Sequence, residues 1–161
     1  MAILNMRLDG DEILRKVSKP VTQFDRGLWQ LLDDMQDTLA DQNGAGLAAV
    51  QVGKLRRIFL VDVGDGPVEF INPRVLETSG TQRGIEGCLS FPEQWGLVTR
   101  PNYAKVEAQD RHGNWFTFEG TELCARALLH ENDHLDGIVF KDRDCRMLTE
   151  EELEQYLEDQ E

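Results

Sequence analysis

Residues 121–137, TELCARALLHENDHLDG, decide how this sequence folds, because they predict a helix that carries two histidines. The stretch begins with a threonine suited to cap a helix and ends with Asp-Gly, so the helix is expected over residues 121–135. Positions four apart lie one turn apart on the same face of a helix. His130 and His134 can therefore reach one metal ion, with Glu131 beside it, in the HExxH arrangement of hydrolytic sites.

Two histidines at this spacing can also be ordinary surface or core residues. Against that interpretation, the chain contains 3 histidines in all, and two of them form this pattern in a segment that is predicted to be helical on other grounds. We therefore interpret the segment as a metal site.

A catalytic site of this kind usually has three protein ligands and an open position for water, so a third ligand is required. Downstream, the candidates are carboxylates at a helix end, in loops and at a cap: Asp136, Asp142, Asp144 and Glu150. Upstream, residues 86–90, EGCLS, place Cys88 between small and flexible neighbours just before a Phe91-Pro92 break, at an apparent strand end. Its thiolate can complete a Cys-His-His site, because metal binding holds the sulfur deprotonated.

A third segment, residues 44–51 (GAGLAAVQ), directly follows a long predicted helix. Its small residues permit close approach of the backbone to a ligand, and the Gln51 amide can donate a hydrogen bond. The segment lacks the glycine spacing of a phosphate-binding loop, and by itself it equally fits a helix C-cap followed by tight packing.

Helices are predicted at both ends of the chain. A short helix covers residues 11–17, and a longer one begins at the N-cap Asp25, carries an apolar stripe and stops at Asn43. Near the other end, Thr149 and Glu152 have capping-box spacing, which predicts a final helix in the acidic tail.

The sequence predicts β-strands between these helices. Residues 56–63 and 68–72 are rich in β-branched residues and are separated by Gly-Asp-Gly, which predicts a hairpin. Residues 103–109 and 114–119 predict a second hairpin. The remaining strand candidates are residues 74–78, 97–99 and 138–140. Helices at both ends with strands between them predict an α+β domain.

The composition indicates one globular domain over residues 1–161, with 40% hydrophobic and 29% charged residues. No stretch reaches the roughly 18 to 20 apolar residues of a membrane-spanning helix, and the first ten residues lack the pattern of a signal peptide. The 3 cysteines form no CxxC pair, which favours a reducing compartment, so a cytoplasmic location is expected. Cys124 and Cys145 are interpreted as small buried hydrophobic side chains.

The charge is unevenly distributed, with a net value of -13 from 17 basic and 30 acidic residues. Seven of the acidic residues and no basic residue lie in residues 149–161, which we call the acidic tail. Binding to duplex DNA or to an anionic membrane needs clustered Lys and Arg, so neither partner is expected.

The three segments together resemble the peptide deformylase family. GAGLAAVQ (44–51), EGCLS (86–90) and HENDHLDG (130–137) are similar to that family's three motifs, in its order and at similar separations. The opening stretch DEILRKVSKPV is also similar, so the resemblance covers Ala2 to about Arg143. Leu129, before the HExxH motif, departs from members with Gln there, which affects pocket lining or hydrogen bonding around the site but no ligand.

The resemblance implies an α+β fold, with mixed or antiparallel sheets packed around the HExxH helix. It implies that Cys88, His130 and His134 hold one divalent ion; the family commonly uses Fe(II), and Zn, Ni or Co can occupy the site. Water activated by the ion would attack the formyl carbon of an N-formylmethionyl peptide and release formate. Glu131 would accept the proton of this water and deliver it to the leaving amine.

The resemblance also assigns the groups that bind the substrate. The Gln51 amide and the backbone N–H of Leu89 would stabilise the developing oxyanion, where one such donor typically contributes on the order of 3 kcal/mol. The apolar slot for methionine would be lined by side chains on the helical face of His130, and backbone of the first motif would pair with the extended peptide. These two sets are Leu123 and Ala127 for the slot, and Ala45 and Gly46 for the pairing.

Two other functions fit parts of the sequence. One is an HExxH endopeptidase with a carboxylate as third ligand, which leaves the EGCLS segment without a role. The other is a metal-binding module without catalysis, in which Glu131 is only a solvated helix residue. Members that end in a basic helix can contact the ribosome through it, whereas this acidic tail predicts at most transient proximity to the ribosome without such a contact.

Overall fold

The computed structural model describes residues 2–160, which form two antiparallel β-sheets, three α-helices and three short 3-10 helices. The strands are β1 (Gly46–Ala48), β2 (Ile58–Val61), β3 (Val68–Ser79), β4 (Gln82–Cys88), β5 (Phe91–Arg100), β6 (Tyr103–Gln109), β7 (Trp115–Thr121) and β8 (Cys145–Met147). The α-helices are α1 (Arg26–Gln42), α2 (Leu123–Leu135) and α3 (Glu150–Asp159), and the 3-10 helices are Glu12–Arg15, Ala49–Val52 and Phe140–Asp142. The α+β class predicted from the sequence is confirmed.

The larger sheet has the strand order β1-β2-β3-β6-β7 and contains both predicted hairpins. In the first hairpin Ile58 lies opposite Ile71 and Val61 opposite Val68, and in the second Tyr103 lies opposite Thr121. Strand β1 pairs only with β2, so its outer edge has no strand partner within residues 2–160.

The smaller sheet has the order β4-β5-β8. Strand β4 pairs only with β5, from Gln82 opposite Arg100 to Cys88 opposite Phe91, so its outer edge also lacks a strand partner in the described chain. A row of unpaired backbone N–H and C=O groups is a template for an added strand. Strands β1 and β4 therefore each have a free edge, as do β7 and β8 at the opposite ends of the two sheets within residues 2–160.

Helix α1 confirms the prediction made from its caps. The Asp25 side chain accepts a hydrogen bond from the Leu28 N–H at 3.2 Å, and Asn43 ends the helix in the left-handed conformation. The buried stripe consists of Leu28, Leu32, Met35 and Leu39. Full burial of such a side chain contributes about 1.5–3 kcal/mol, which holds the helix on the larger sheet.

The start of helix α2 differs from the prediction. Thr121 is the last residue of β7 and pairs with Tyr103, so it does not cap the helix. The chain turns at Glu122, whose φ is 53°, and the helix begins at Leu123. The Glu122 N–H donates to the Asn102 carbonyl at 2.9 Å, and this contact between neighbouring loops sets the turn. The predicted end at Leu135 is confirmed.

Three predictions about proline and strand positions are wrong. Residues 68–72 and 74–78 were predicted as separate strands, but strand β3 continues through Pro73. A register shift between Ile71 and Arg74 means that Pro73, which has no N–H, is not required to donate a hydrogen bond to β6. Pro92 lies inside β5 rather than at a break, ahead of residues 96–98, where β8 pairs. Residues 138–140 form no strand, and the 3-10 helix Phe140–Asp142 follows Val139 instead.

The buried core lies between α2 and the larger sheet on one side and between α1 and that sheet on the other. Phe59 and Phe70 stack at a ring-centroid distance of 4.8 Å beneath α2, and Leu128 of the helix is fully buried in the same cluster. Close packing of this kind fixes the helix rotation, and with it the directions of the His130 and His134 side chains. No helix in residues 2–160 is both long enough and apolar enough to cross a bilayer.

Candidate metal centre and active site

Helix α2 carries both histidines and the glutamate of the HExxH motif into the interior. The rings of His130 and His134 lie 5.1 Å apart between centroids, as expected for residues one helical turn apart. The Arg57 guanidinium donates to the Leu135 carbonyl at 3.1 Å and pairs with Asp136 at 3.0 Å. It thereby satisfies the C-terminal end of the helix just below the site.

Cys88 reaches the histidines from the last position of strand β4. Its Sγ lies 3.3 Å from His134 Nε2, and one ligand atom from each of Cys88, His130 and His134 lies within 4.8 Å of the others. Burial holds the pKa of His134 well below its ordinary value. A lowered pKa favours the neutral imidazole, which is the form that binds a metal.

The donor set fits a divalent transition metal ion. One thiolate and two imidazoles are the ligands of Cys-His-His catalytic sites, and Cys88 Sγ lies on the Nε2 side of His134 within the same cluster. The alternative third ligands lie outside this cluster: Asp136 pairs with Arg57, Asp142 with Arg15 and Asp144 with Arg83, and Glu150 begins α3.

A buried carboxylate behind the cluster orients His130. Glu86 contacts His130 Nδ1 and accepts hydrogen bonds from Arg100 at 2.6 and 3.0 Å and from Arg126 at 2.7 Å. Burial alone would raise the pKa of Glu86, but the hydrogen bonds from His130 and Arg100 hold it well below its usual range. Glu86 stays charged and leaves His130 Nε2 for the metal ion.

Glu86 and the arginines that surround it have no role among the predictions made from the sequence. Arg100 also donates to Asp133 of α2 at 2.9 Å, so one guanidinium joins strand β5 to both β4 and the helix. The available signal was the alternation in residues 86–88, which puts Glu86 and Cys88 on one face of a strand. The arginine partners come from distant parts of the chain, and no local pattern indicates them.

Glu131 is buried beside the metal cluster and has the properties of a proton-transfer group. Its Oε1 has no hydrogen-bond partner in the described chain, and its Oε2 lies 4.0 Å from His130 Nε2. Burial raises the pKa of Glu131 to about 7. A carboxylate with a pKa near neutrality can both accept and return a proton, although a bound cation would lower this value.

Gly46 gives Glu131 the space that it occupies. A Cβ atom at position 46 would lie 2.5 Å from Glu131 Oε2 and 2.7 Å from its Cγ, closer than real contacts allow. Strand β1 and helix α2 can therefore approach each other here only because position 46 has no side chain.

We predict that Gly46→Ala lowers kcat for the hydrolysis implied by the family resemblance by about 10- to 100-fold. The reason is that the added methyl group displaces the Glu131 carboxylate by about an ångström or more. Metal content, measured by elemental analysis, should remain at the wild-type value, since no ligand is touched. Gly27→Ala, in the exposed first turn of α1 with no close contact, is the control. Unchanged kcat in folded Gly46→Ala would contradict a catalytic position for Glu131.

Gln51 is buried next to Cys88. It lies in the 3-10 helix Ala49–Val52, and its Nε2 is 3.5 Å from Cys88 Sγ. Leu89 follows Cys88 in the turn between β4 and β5, where it lines the cavity described below. Gln51 and Leu89, to which the resemblance assigns the oxyanion, therefore both lie close to Cys88.

A cavity of about 460 Å³ opens in front of the cluster. Ala45 and Gly46 border it on the side of β1, and Leu123 and Ala127 border it on helix α2. Leu123 is 57% exposed and Ala127 is 7% exposed, so Ala127 lies at depth and Leu123 at the rim. All four proposed substrate contacts thus share one cavity.

Trp95 forms part of the same cavity wall. Its indole ring covers Gly87 so closely that a Cβ atom there would overlap the ring. The ring is 41% exposed and therefore accessible from the cavity. Leu129, in contrast, belongs to the core and to a separate void of about 250 Å³ beside Arg100, so it does not line the first cavity. Cys124 and Cys145 are only half-buried.

Comparison with known proteins identifies what this arrangement is similar to. Residues 3–150 match the family model described as Polypeptide deformylase. The chain is 52% identical over 155 residues to a peptide deformylase of Caldicellulosiruptor bescii, covering 96% of this chain and 93% of that protein.

Solved structures show the same similarity. The fold matches the crystal structure of peptide deformylase from Thermotoga maritima with a TM-score of 0.87 and 42% identity, over 89% of this chain and 98% of that one. A Met-Ala-Ser-bound class I type b peptide deformylase from Acinetobacter baumannii matches with a TM-score of 0.84 and 33% identity, over 88% and 98% of the two chains.

Proposed function

The chain belongs to the polypeptide deformylase family, and from this premise we propose how its residues remove the formyl group from N-formylmethionyl peptides. Peptide deformylases are metal-dependent hydrolases, and the Cys-His-His cluster fits such a metal site. The observation that carries the proposal is the cluster of Cys88, His130 and His134, of which Cys88 and His130 line one cavity together with Glu131.

A divalent ion held by Cys88, His130 and His134 would supply Lewis acidity that activates water for attack on the formyl carbon. We assign the proton transfer to Glu131, which accepts the proton of the attacking water and delivers it to the amine of methionine as the C–N bond breaks. Formate and the free N-terminal methionine are the products. The position of the Glu131 carboxylate, with Oε2 4.0 Å from His130 Nε2 and Oε1 without a partner in the described chain, supports both steps.

Gln51 and Leu89 are proposed to stabilise the oxyanion. The Gln51 Nε2 group lies beside Cys88 Sγ, and Leu89, in the turn directly after Cys88, lines the cavity. Donors held rigidly before the reaction stabilise developing charge better than mobile water does. The burial of Gln51, which is 1% exposed, provides that rigidity.

The peptide is proposed to bind between the free edges of strands β1 and β4. The outer edges of β1 and β4 both border the cavity, through Ala45 and Gly46 on one side and residues 85–88 on the other. An extended peptide can add a strand to such an edge. The methionine side chain would then enter the apolar slot next to Leu123 and Ala127. The Met-Ala-Ser complex of the Acinetobacter baumannii relative supports a tripeptide of this kind.

We further propose that α2 is the central element of one catalytic domain. It packs on the larger sheet through its apolar face and is tied to the smaller sheet by the Arg126–Glu86 and Arg100–Asp133 ion pairs. Fe(II) is the proposed native ion, with Zn, Ni or Co as substitutes, because a thiolate and two imidazoles suit each of them.

The remaining partners and the location follow from charge and chemistry. Three half-buried free thiols support a cytoplasmic location, since they persist in a reducing compartment. The net charge of -13 disfavours binding to DNA or to an anionic membrane surface. Contact with the ribosome is proposed to be transient and not to involve the acidic tail.

The test is formate release from formyl-Met-Ala-Ser by anaerobically purified protein, with metal analysis of the same sample. We expect release that requires the metal and yields Met-Ala-Ser with its peptide bonds intact. Cleavage within the peptide would instead indicate an HExxH endopeptidase. Metal binding without formate release would indicate a binding module.

We predict that removing residues 151–161 leaves formate release within about threefold of the full-length value. Helix α3 contains no buried residue, its Glu152–Arg146 ion pair is exposed, and exposed pairs contribute only about 0–1 kcal/mol. The family match also ends at residue 150. The comparison is kcat/KM of the two proteins, with circular dichroism to establish folding. A loss above about 30-fold in the folded, shortened protein would give the acidic tail a role in the site.

A further inference from the structure

The side-chain amide of Gln51 has a defined orientation. The Ala48 N–H donates to Gln51 Oε1 at 2.9 Å, and only the oxygen end of an amide can accept that bond. The Nε2 end therefore faces the other way, 3.1 Å from Ser90 Oγ and 3.5 Å from Cys88 Sγ. The two hydrogens of Nε2 thus point in two directions, one to the serine hydroxyl and one toward the ligand cysteine.

We propose that Ser90 is a positioning residue for the reaction. Its hydroxyl oxygen accepts one hydrogen of Gln51 Nε2, and this bond directs the other hydrogen toward the metal centre beside Cys88. The inference rests on the proposed function, because it assumes that Gln51 stabilises the oxyanion. It concerns a residue that neither lines the cavity nor belongs to the Cys88-His130-His134 cluster.

The burial of Ser90 supports this role. The residue is 0% exposed, and a buried hydroxyl or amide is unfavourable unless it is hydrogen-bonded. The hydrogen bond from Gln51 Nε2 to Ser90 Oγ gives each of these two buried side chains a polar partner. Without the serine oxygen, the Nε2 group would rotate about its terminal torsion to find another acceptor, because that torsion is soft.

The backbones of the two residues are held by one segment of the chain. The Arg7 N–H donates to the Gln51 carbonyl, and the Asp9 N–H donates to the Ser90 carbonyl, each at 2.7 Å. Residues 7 and 9 are two positions apart, with Asp9 at the start of a turn, so this segment ties the backbones of Gln51 and Ser90 together. These two backbone hydrogen bonds hold Gln51 and Ser90 next to each other, and neither bond involves a residue that lines the cavity.

The first experiment is Ser90→Ala, assayed for formate release with formyl-Met-Ala-Ser. We expect kcat to fall about tenfold with KM within about twofold, since the oxyanion donor is misdirected rather than removed. Ser18→Ala is the matched control, because Ser18 is also buried and its hydroxyl has no partner among residues 2–160. Its kcat should equal that of the wild type.

A double-mutant cycle separates positioning from a structural role. In a Gln51→Ala background, Ser90→Ala should change kcat by less than about twofold, because the group on which the serine acts is gone. An undiminished tenfold effect in that background would overturn the proposal. So would loss of metal or of the folded state in Ser90→Ala, since the serine would then be structural.

A spectroscopic measurement gives an outcome that does not depend on activity. In ¹⁵N spectra of zinc-loaded protein, the side-chain NH₂ pair that disappears in Gln51→Ala belongs to Gln51. Ser90→Ala should shift this pair and accelerate its hydrogen exchange, whereas Ser18→Ala should leave it unchanged. An unaltered pair in Ser90→Ala would overturn the proposal. If wild-type protein releases no formate, the proposed function fails, and the spectra still decide whether Ser90 holds Gln51.

Discussion

Replacing Glu131 by glutamine is expected to lower kcat for formate release by about 100- to 10,000-fold, the usual contribution of a positioned acid and base. Glutamine has the same shape as glutamate but cannot take up the proton of water at neutral pH. Because Glu131 is no ligand in the proposed site, the metal content should stay at the wild-type value. The measurements are formate release and metal analysis on the same anaerobic preparation.

The same substitution should leave the fold intact or stabilise it. Burial raises the pKa of Glu131 to about 7, so the folded protein at high pH holds a carboxylate in an unfavourable place. Since the folded pKa exceeds the usual value of 4.5, the stability lost through this group grows as pH rises between those values. A neutral amide removes this loss, so Tm of metal-free Glu131→Gln above pH 7 should equal or exceed that of the wild type.

Glu154→Gln, on the exposed face of α3, is the control for loss of a carboxylate and should change neither kcat nor Tm. Formate release by Glu131→Gln above a tenth of the wild-type rate would contradict the assigned proton transfer. Such a result would leave Glu131 as an electrostatic neighbour of the metal ion.

Cys88→Ala is expected to abolish tight metal binding and, with it, formate release. The substitution removes one of the three protein ligands, and even loss of a group that only orients a ligand weakens metal affinity about 10- to 100-fold. We expect metal content after dialysis to fall below about a tenth of the wild-type value, and kcat/KM to fall at least about 1000-fold.

Cys124→Ala provides a matched control, since Cys124 is also a half-buried free thiol but lies outside the ligand cluster. Its metal content and formate release should equal those of the wild type. Full metal occupancy in active Cys88→Ala would exclude the sulfur as a ligand and would favour a site completed by a carboxylate. Peptide cleavage by such a variant would then point to an endopeptidase.

The helices were predictable because their signals are local. The Asp25 cap, the stop at Asn43 and the Thr149-Glu152 capping box each involve residues within a few positions of each other, and the structure confirms all three. Helix α2 follows the same rule along its length but not at its start. There, Thr121 pairs with Tyr103 of the neighbouring strand β6 as the last residue of β7. This pairing outweighed the tendency of a threonine to serve as a helix N-cap.

Of the strands that frame the cavity, β1 was not predicted, and only the end of β4 at Cys88 was. Strand β1 has three residues and β4 contains two glycines, so neither carries a regular alternation of hydrophobic and polar residues over its whole length. Each is formed because a partner strand supplies hydrogen bonds, β2 for β1 and β5 for β4. The free edges that are proposed to bind the peptide are therefore a property of the assembled sheets.

The sequence by itself determined the chemistry available to the site. The spacing of His130 and His134 places them on one helical face whatever surrounds the helix, because the helical repeat is set by backbone geometry. Glu131, the residue after His130, is placed beside that face by the same repeat. The same local signals placed Cys88 at a strand end and made its thiolate a candidate third ligand, and the resemblance to the family implied the same residue.

Only the tertiary structure decided how these groups are tuned. Burial of Glu131 sets its pKa, the absent side chain of Gly46 gives it room, and Glu86 orients His130 with two arginines from β5 and α2. Each effect arises between residues far apart in sequence, through excluded water and short electrostatic distances. Such quantities exist only once the sheets and the helix have packed together, because a single segment has neither an interior nor a fixed distance to another segment.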